Sequence, residues 1–358
     1  MANIDYLIIG QGLAGSILGY KLHAQGATVK IIDNRNKSSS SAIAAGLIDP
    51  ITGKRFALSW KIDTLRPYAD DFYRDLERTF KMQFLHHKMS LRLFKSDEEI
   101  ALYEQKKEED GFKKYLHKFI PADPECLHFQ NPFGGVQINH TSYLNIPLFL
   151  YTLRKYFERE NLIVSTKCEQ KDLQITSECV KWKSIEAKKI IFCDGFKASQ
   201  NPYFKWLPWR HAKGEILTLD IPKMPRDRIL HANGHWLLPT KEGSFKFGAN
   251  YHWDTLDNIP TETERTELEN ALSEFIKHPF KVIDHQAGVR PILVDTKPVI
   301  GSHPQLSHVM ILNGLSSKGV LLAPFIAEQF VQHLINETPI DPEIDIRRFS
   351  FANQGIQP

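Results

Sequence analysis

The sequence predicts an α/β protein, α+β overall, in which a doubly wound parallel sheet is joined to a second, largely antiparallel one. Three observations carry this. A strand, a glycine turn, a helix and a second strand open the chain over residues 4–33. A strand at 309–312, Asn313-Gly314 and a helix over 319–334 repeat that logic near the end. Between them, residues 214–287 alternate with period two, as in Ile216-Leu217-Thr218-Leu219 and Phe245-Lys246-Phe247-Gly248. Two α/β pieces that bracket β-rich material imply one nucleotide-binding unit assembled from separated segments, with a second unit built from what lies between.

The opening unit is the most explicit. Ile4, Tyr6, Leu7, Ile8 and Ile9 make a buried strand, and Gly10-Gln11-Gly12-Leu13-Ala14-Gly15 follows with G-x-G-x-x-G spacing. One glycine permits the tight turn, one lets backbone N–H groups reach a pyrophosphate, and the third lets helix and strand pack closely. The pyrophosphate belongs on the helix N-terminus. The helix runs through Ile17, Leu18 and Leu22 to Gly26, and the strand 28–32 ends on Asp33, followed by Asn34. Asp33 is placed to accept hydrogen bonds from a ribose hydroxyl. The serines 38–41 then enter Ala42-Ile43-Ala44-Ala45-Gly46-Leu47-Ile48, small residues that suit backbone packed against a flat ligand.

Residues 61–118 read as charged and helical, chiefly over 68–80 and 96–115, and form the first candidate insertion. Residues 121–139 read as strands and turns. An amphipathic helix over 144–157 leads to a short strand at 162–164, a hairpin at 173–182, and the apolar strand 189–193 closing on Asp194-Gly195. A helix over 263–275 interrupts the later alternation.

Bulk properties remove several function classes. A chain of 358 residues, 42% hydrophobic and 24% charged, is a soluble globular protein of about two domains. The net charge of +3 gives no call for a nucleic-acid partner. Cys126, Cys168, Cys179 and Cys193 form no C-x-x-C pair, and Cys193 sits in an apolar run as a core thiol. The 15 histidines show no H-E-x-x-H, so no metal is expected. No run approaches the roughly 20 apolar residues of a membrane span. No signal peptide is evident, and a reducing cytoplasm is the expected location.

Two further segments complete the pattern: Trp209-Arg210-His211-Ala212-Lys213-Gly214-Glu215, and Gly288-Val289-Arg290-Pro291 through Asp295 and Pro298 to Gly301, followed by Asn313-Gly314 and Gly319-Val320-Leu321-Leu322-Ala323-Pro324. In this order the set resembles the D-amino-acid oxidase and glycine oxidase family of FAD-dependent oxidoreductases. The likeness is strongest over 4–48, 207–218, 288–301 and 309–326, and weak over 60–140. It implies a Rossmann-type FAD-binding domain from residues 1–82, 141–214 and 287–358, and a substrate domain with a mixed, largely antiparallel sheet from 83–140 and 215–286.

The resemblance also implies site residues. Gly10, Gly12, Leu13, Ala14, Gly15, Asp33 and Asn34 match the adenosine and pyrophosphate contacts. Ser40 and Ser41 match positions toward phosphate and ribityl oxygens, and Ala44, Ala45, Gly46 and Leu47 the backbone beside the ring. Cys168 falls where backbone holds the adenine, and Asp194, Gly195 and Gly214 belong to the cofactor set. Gly314, Ser317, Lys318, Gly319 and Val320 match the loop at the pyrimidine end. Arg290 matches the arginine that pairs with a substrate carboxylate, against the alternative of a structural clamp on Asp295. Tyr251 matches a cavity-lining position, against a tyrosine packed in the sheet. Lys246 matches the lysine that activates oxygen in related enzymes, against an edge-strand lysine facing solvent. No His or Cys stands at the attachment positions, so the FAD is expected to be non-covalent. Leu315-Ser316-Ser317 replaces the His and Arg of glycine oxidase-like sequences, which removes a second cationic contact to substrate.

The activity so implied is oxidation of the C–N bond of a small carboxylated amine or amino acid, by hydride transfer to flavin N5 and hydrolysis of the imine. The protein would be an oxidase or dehydrogenase passing electrons to O2 or another acceptor. Gly46-Leu47-Ile48-Asp49-Pro50-Ile51-Thr52-Gly53-Lys54 supports an alternative: the oxidase half of a bifunctional enzyme acting on a carboxymethylaminomethyl-type modified tRNA base. A flavin-binding protein without turnover is the third reading.

Overall fold

The computed structural model describes residues 2–35, 39–53, 55–176 and 178–351. Ser38 and Lys54 of the runs above lie outside the described residues.

Strand Ala2–Ile9 is the axis of the first sheet. It pairs in parallel with Val29–Ile32 on one side and Ile185–Phe192 on the other. Ile163–Val164 extends the parallel order past Val29–Ile32, and Leu306–Asn313 runs parallel to the second half of Ile185–Phe192. The first half of that strand carries the hairpin of Leu173–Ile175 and Val180–Trp182 instead. Burial on both faces explains why these strands read as nearly unbroken apolar runs. Leu7 joins Phe192, Phe204 and Ile311 on one face, whereas Ile8 joins Leu18, Leu22 and Phe330 on the other. The latter three belong to helices Leu13–Ala24 and Gly319–Asn336, which pack on each other.

The second sheet has eight strands in the order Lys281–Arg290, Ala212–Asp220, Phe245–Gly248, His235–Pro239, Arg228–Ala232, Met89–Leu93, Gly135–Ile138 and Leu116–Ile120. Every neighbour is antiparallel except Arg228–Ala232 with Met89–Leu93. Period-two alternation divides its faces. Leu217, Leu219, Phe245 and Phe247 point outward into a core closed by Leu268 and Leu272 of helix Glu262–Ser273. Ile216, Lys246 and Trp236 alternate with these and so point inward, toward the first sheet.

The structure corrects the reading of 61–118 as helical. Helix Ile62–Phe80 is present, but Leu85–His87 and Met89–Leu93 are strands. The expected helix over 96–115 breaks into Asp97–Lys106 and Asp110–Lys113, and Leu116–Ile120 returns to strand. These strands carry His86, His87 and Arg92, so no apolar run marks them, and distant partners decide their conformation. The amphipathic helix is Ile146–Arg159, capped by Asn145, whose side chain accepts from the Leu148 N–H at 3.2 Å. No helix among the described residues is long and apolar enough to cross a membrane.

The turn out of Ala2–Ile9 leaves no room for side chains. A Cβ at Gly15 would stand 1.9 Å from the Gly10 carbonyl oxygen, which is backbone and cannot swing aside. Gly15→Ala must push the first helix off its strand, costing about 1–3 kcal/mol or more. Thermal denaturation should show a clear loss of melting temperature, and an unchanged value would remove the close-packing argument.

Candidate active site

A cavity of about 470 Å³ opens between the inner face of the second sheet and the C-terminal ends of the parallel strands. Most of the expected residues meet there. Gly12, Leu13 and Ala14 come from the start of the first helix, and Ser40, Ser41, Ala44, Ala45, Gly46 and Leu47 from the segment after the second strand. Gly195, Gly214, Tyr251, Arg290, Ser317, Lys318, Gly319 and Val320 complete the lining.

Its charge logic comes from two helix ends. Neither cap residue, Gly12 of Leu13–Ala24 nor Lys318 of Gly319–Asn336, caps its helix with its own side chain. Ser41 Oγ accepts from the Leu13 N–H at 3.2 Å, and a Cβ on Gly12 would lie 3.0 Å from that oxygen. Small residues and uncapped N–H groups at the mouth of a long cavity form a cradle that suits a diphosphate and an attached flat ring.

Eight expected residues do not line the cavity. Gly10 and Gly15 serve the turn itself: Gly10 has φ +101°, and a Cβ there would meet the Cys193 carbonyl oxygen at 2.6 Å. Asp33 accepts from the Gln11 N–H at 3.0 Å, the Arg35 N–H at 2.7 Å and Arg154 Nη1 at 2.9 Å, and Asn34 beside it is exposed. Cys168 packs against the second core, where burial pushes its thiol up to about 11. Asp194 accepts from Asn201 and Asn313, and desolvation pushes its carboxyl up to about 6. Gly314, at φ +74°, donates to Asn313 Oδ1 at 2.8 Å and turns the chain into the lining loop.

Lys246, the eighth, lies on a central strand, paired with Thr218 and Leu238, so the edge-strand alternative is overturned. Its side chain shares the inner face with the lining residues Ile216 and Trp236, one pair further along. Burial lowers its pKa, opposed by Glu242 and Asp284.

Arg290 ends strand Lys281–Arg290 and lies flat across Gly214, where a Cβ would stand 2.0 Å from Nη2. Its Nη1 donates to the carbonyls of Lys213 at 3.3 Å and Asn250 at 3.2 Å. The Tyr251 ring centroid is 4.1 Å from its Cζ. Desolvation lowers its pKa, and no carboxylate among the described residues lies within ion-pair distance. The clamp alternative is overturned too, because Asp295 pairs with Arg348 at 2.8 Å. Tyr251 is not packed in the sheet: it is 44% exposed and stacks on Trp253, itself 51% exposed, at 6.2 Å between centroids.

The cavity has a second polar end that the sequence reading did not find. Asp49, Arg92, Glu99 and His231 line it beside Lys318. Desolvation raises the Asp49 carboxyl against the opposing pull of His231, whose Nε2 is 3.4 Å away. Arg92 donates to the Gly53 carbonyl at 2.8 Å and stands 3.8 Å over the Phe56 ring. Lys318 Nζ reaches Thr52 and Ser59, each at 3.2 Å. Arg92 and His231 face each other across the parallel pair, a register that only the long-range fold determines. No cluster of His, Cys, Asp or Glu among the described residues could hold a metal.

A glycine cradle at the ends of parallel strands, opening onto a cavity lined by a guanidinium with no carboxylate beside it, is the architecture of a dinucleotide-binding protein. The DAO model, described as FAD dependent oxidoreductase, matches residues 5–333, and the chain belongs to that family. It is an FAD-dependent enzyme of this class. It is 24% identical over 317 residues to the tRNA 5-methylaminomethyl-2-thiouridine biosynthesis bifunctional protein MnmC of Legionella pneumophila, covering 83% of this chain and 45% of that protein. It is 20% identical over 355 residues to the glycine oxidase of Pseudomonas aeruginosa, covering 94% and 96%. The chain thus spans about half the length of the bifunctional relatives it matches and nearly all of the glycine oxidase. Among solved structures, glycine oxidase from Geobacillus kaustophilus superposes with a TM-score of 0.76 at 17% identity, covering 96% of this chain and 97% of that one. Iminodiacetate oxidase from Chelativorans sp. BNC1 superposes equally, at 0.76 and 18% identity over 95% and 98%.

Gly214 tests how closely Arg290 is held. In Gly214→Ala the obstructing atoms are the far end of a flexible side chain, so the fold should survive while the guanidinium is displaced. Melting temperature should move little, and affinity for small carboxylate anions, read from flavin absorbance, should fall at least tenfold. Unchanged affinity would mean that the observed pose of Arg290 is not the binding pose.

Proposed function

We propose that the chain oxidises the C–N bond of a small carboxylated amine or amino acid, with Arg290 receiving the carboxylate. The observation that carries this is a desolvated guanidinium in the cavity with only carbonyls and an aromatic ring around it. Such a fork matches a carboxylate in plane and charge, and the missing counter-charge is what a substrate brings. Bound FAD, held non-covalently, supplies the two-electron acceptor for a hydride from the carbon beside the amine nitrogen. Arg290 fixes the carboxylate end so that this C–H is held in place, and Tyr251 closes one side of the guanidinium against water. Gly319 and Val320, at the start of the last helix, line the cavity, and the helix N-terminus there would favour negative charge on a ring held beside it. Water then hydrolyses the released imine, and no side-chain base is needed if the amine enters neutral. Lys246, an ammonium on the inner face, is assigned to favouring charge that develops on dioxygen when oxygen is the acceptor.

A second reading has its own observation. Tyr251 and Trp253 form an exposed stacked pair at the rim, with the exposed Arg210 guanidinium 6.0 Å from the Trp253 ring centroid. A flat platform beside a carboxylate site suits a splayed nucleobase carrying a carboxymethylated amine. Here the substrate would be tRNA and Arg290 would keep its role.

Anaerobic mixing with amino acids, N-methyl amines, carboxymethyl amines and tRNA bearing the modified base should bleach the flavin with one of these classes. Failure of all of them would end the proposal. Arg290→Ala should keep its yellow colour and raise KM roughly ten- to hundredfold, the equivalent of about 1.5–3 kcal/mol. Unaltered kinetics would return Arg290 to a structural role. Lys246→Met should slow reoxidation by O2 roughly tenfold or more while leaving anaerobic reduction nearly intact. Equal slowing of both half-reactions would remove Lys246 from oxygen chemistry.

A further inference from the structure

Directly behind Arg290, on the outer face of the same two strands, lies a charged cluster that the reaction itself does not use. Lys213 and Glu215 alternate with Gly214 on strand Ala212–Asp220, so they point away from the cavity. Both are almost wholly buried, with side-chain exposures of 3% and 0%. Lys213 Nζ lies 3.3 Å from Glu215 Oε1 and donates to Asp257 Oδ1 at 2.7 Å and to the Ile259 carbonyl. Glu215 Oε2 accepts from the Thr261 N–H at 3.1 Å and stands 2.7 Å from His285 Nε2 on the neighbouring strand. The Glu215 backbone N–H donates to Asn250 Oδ1 at 2.6 Å.

The bonds to Asp257, Ile259, Thr261 and Asn250 tie the segment 250–261 to strand Ala212–Asp220. That segment supplies two of the groups around Arg290, the Asn250 carbonyl and the Tyr251 ring. A backbone bridge between Lys213 and His252, with bonds of 2.8 and 3.0 Å, completes the attachment next to the other acceptor, the Lys213 carbonyl. A buried ammonium and carboxylate are costly unless fully paired, and a well-packed apolar pair would often stabilise the fold as much or more. Their place directly behind Arg290, bonded to the segment that carries its acceptor and its ring, points to positioning rather than to stability.

We propose that Lys213, Glu215 and Asp257 are positioning residues that staple the 250–261 segment to the sheet and thereby aim the Arg290 guanidinium at the substrate carboxylate. The proposal rests on the reading of Arg290 as the carboxylate site. Loosening the staple frees the Asn250 carbonyl and the Tyr251 ring together, so the guanidinium loses its direction while keeping its charge. Binding of anions weakens, whereas the FAD cradle, which uses neither residue, is untouched.

The test uses the FAD-loaded protein, with acetate as probe followed by the shift in flavin absorbance and acetamide as the uncharged control. Lys213→Met and Asp257→Asn should each weaken acetate binding about tenfold with no change in FAD retention, Lys213→Arg should recover part of the loss, and the weak response to acetamide should stay as in the parent. Asp257 is 42% exposed on its side chain, so its variant keeps the test alive if Lys213→Met does not fold. If Arg290→Ala abolishes acetate binding but both staple variants bind like the parent, the staple is overturned and the carboxylate site stands. If acetate leaves the parent spectrum unchanged, or Arg290→Ala binds acetate normally, the carboxylate site itself fails and the staple falls with it.

Discussion

A guanidinium held in a cavity without a carboxylate beside it is the constraint around which this structure is arranged. Removing a charge from bulk water is expensive, and the groups around Arg290 offset that cost only in part. Two carbonyls and one aromatic face surround it. Glycine at position 214 clears the space it occupies. Gly288 of the same ribbon packs against helix Ser40–Ile43: a Cβ there would make an ordinary contact with the Ser40 Cα at 3.5 Å and would ask the end of the Ile43 side chain, at 3.2 Å, to give slightly. The segment Ser40–Ile43 and Arg290 thus meet on one two-stranded ribbon, where the missing side chain at 214 makes the room for the guanidinium.

The two strands Ala212–Asp220 and Lys281–Arg290 separate two electrostatic environments at one residue of offset. The inner face presents a lone cation to the cavity. The outer face presents a lysine, a glutamate and a histidine to one another. Burial works against the Lys213 ammonium, yet Asp257 and Glu215 together outweigh it and hold its pKa above the usual lysine value. The same period-two alternation that predicts a strand thus also sorts charge, leaving the unsatisfied group where a ligand can reach it.

Legibility in the sequence followed the range of the interactions involved. The opening turn, the segment 40–47, the G-x-R-P arginine and the loop before the last helix each carry their geometry in local residue order, and all contribute to one cavity. Asp33 and Asp194 end parallel strands as expected, but hydrogen bonds to Gln11, Arg154, Asn201 and Asn313 occupy them. No spacing rule announces such partners. The second polar end of the cavity was silent for a related reason. Arg92 sits on a short polar strand within a charged stretch, and His231 becomes its neighbour only through a parallel pairing across more than a hundred residues. Helical charge and strand charge look alike until a partner strand is known.

That second end also bears on how selective the enzyme can be. On the proposed reading, a single fork for carboxylate accepts any amino acid that fits, because one charge-assisted pair says little about the rest of the molecule. At the other end Arg92 is engaged by Gly53 and Phe56, Lys318 by Thr52 and Ser59, and Asp49 faces His231. These groups satisfy one another in part, so an apolar substituent entering there would strip water from them and give nothing back. A polar substituent could replace that water bond for bond. On the proposed reading of Arg290 as the carboxylate site, discrimination comes less from attraction there than from the penalty that apolar groups incur at the opposite end, and this favours amines that are polar on both sides of the nitrogen.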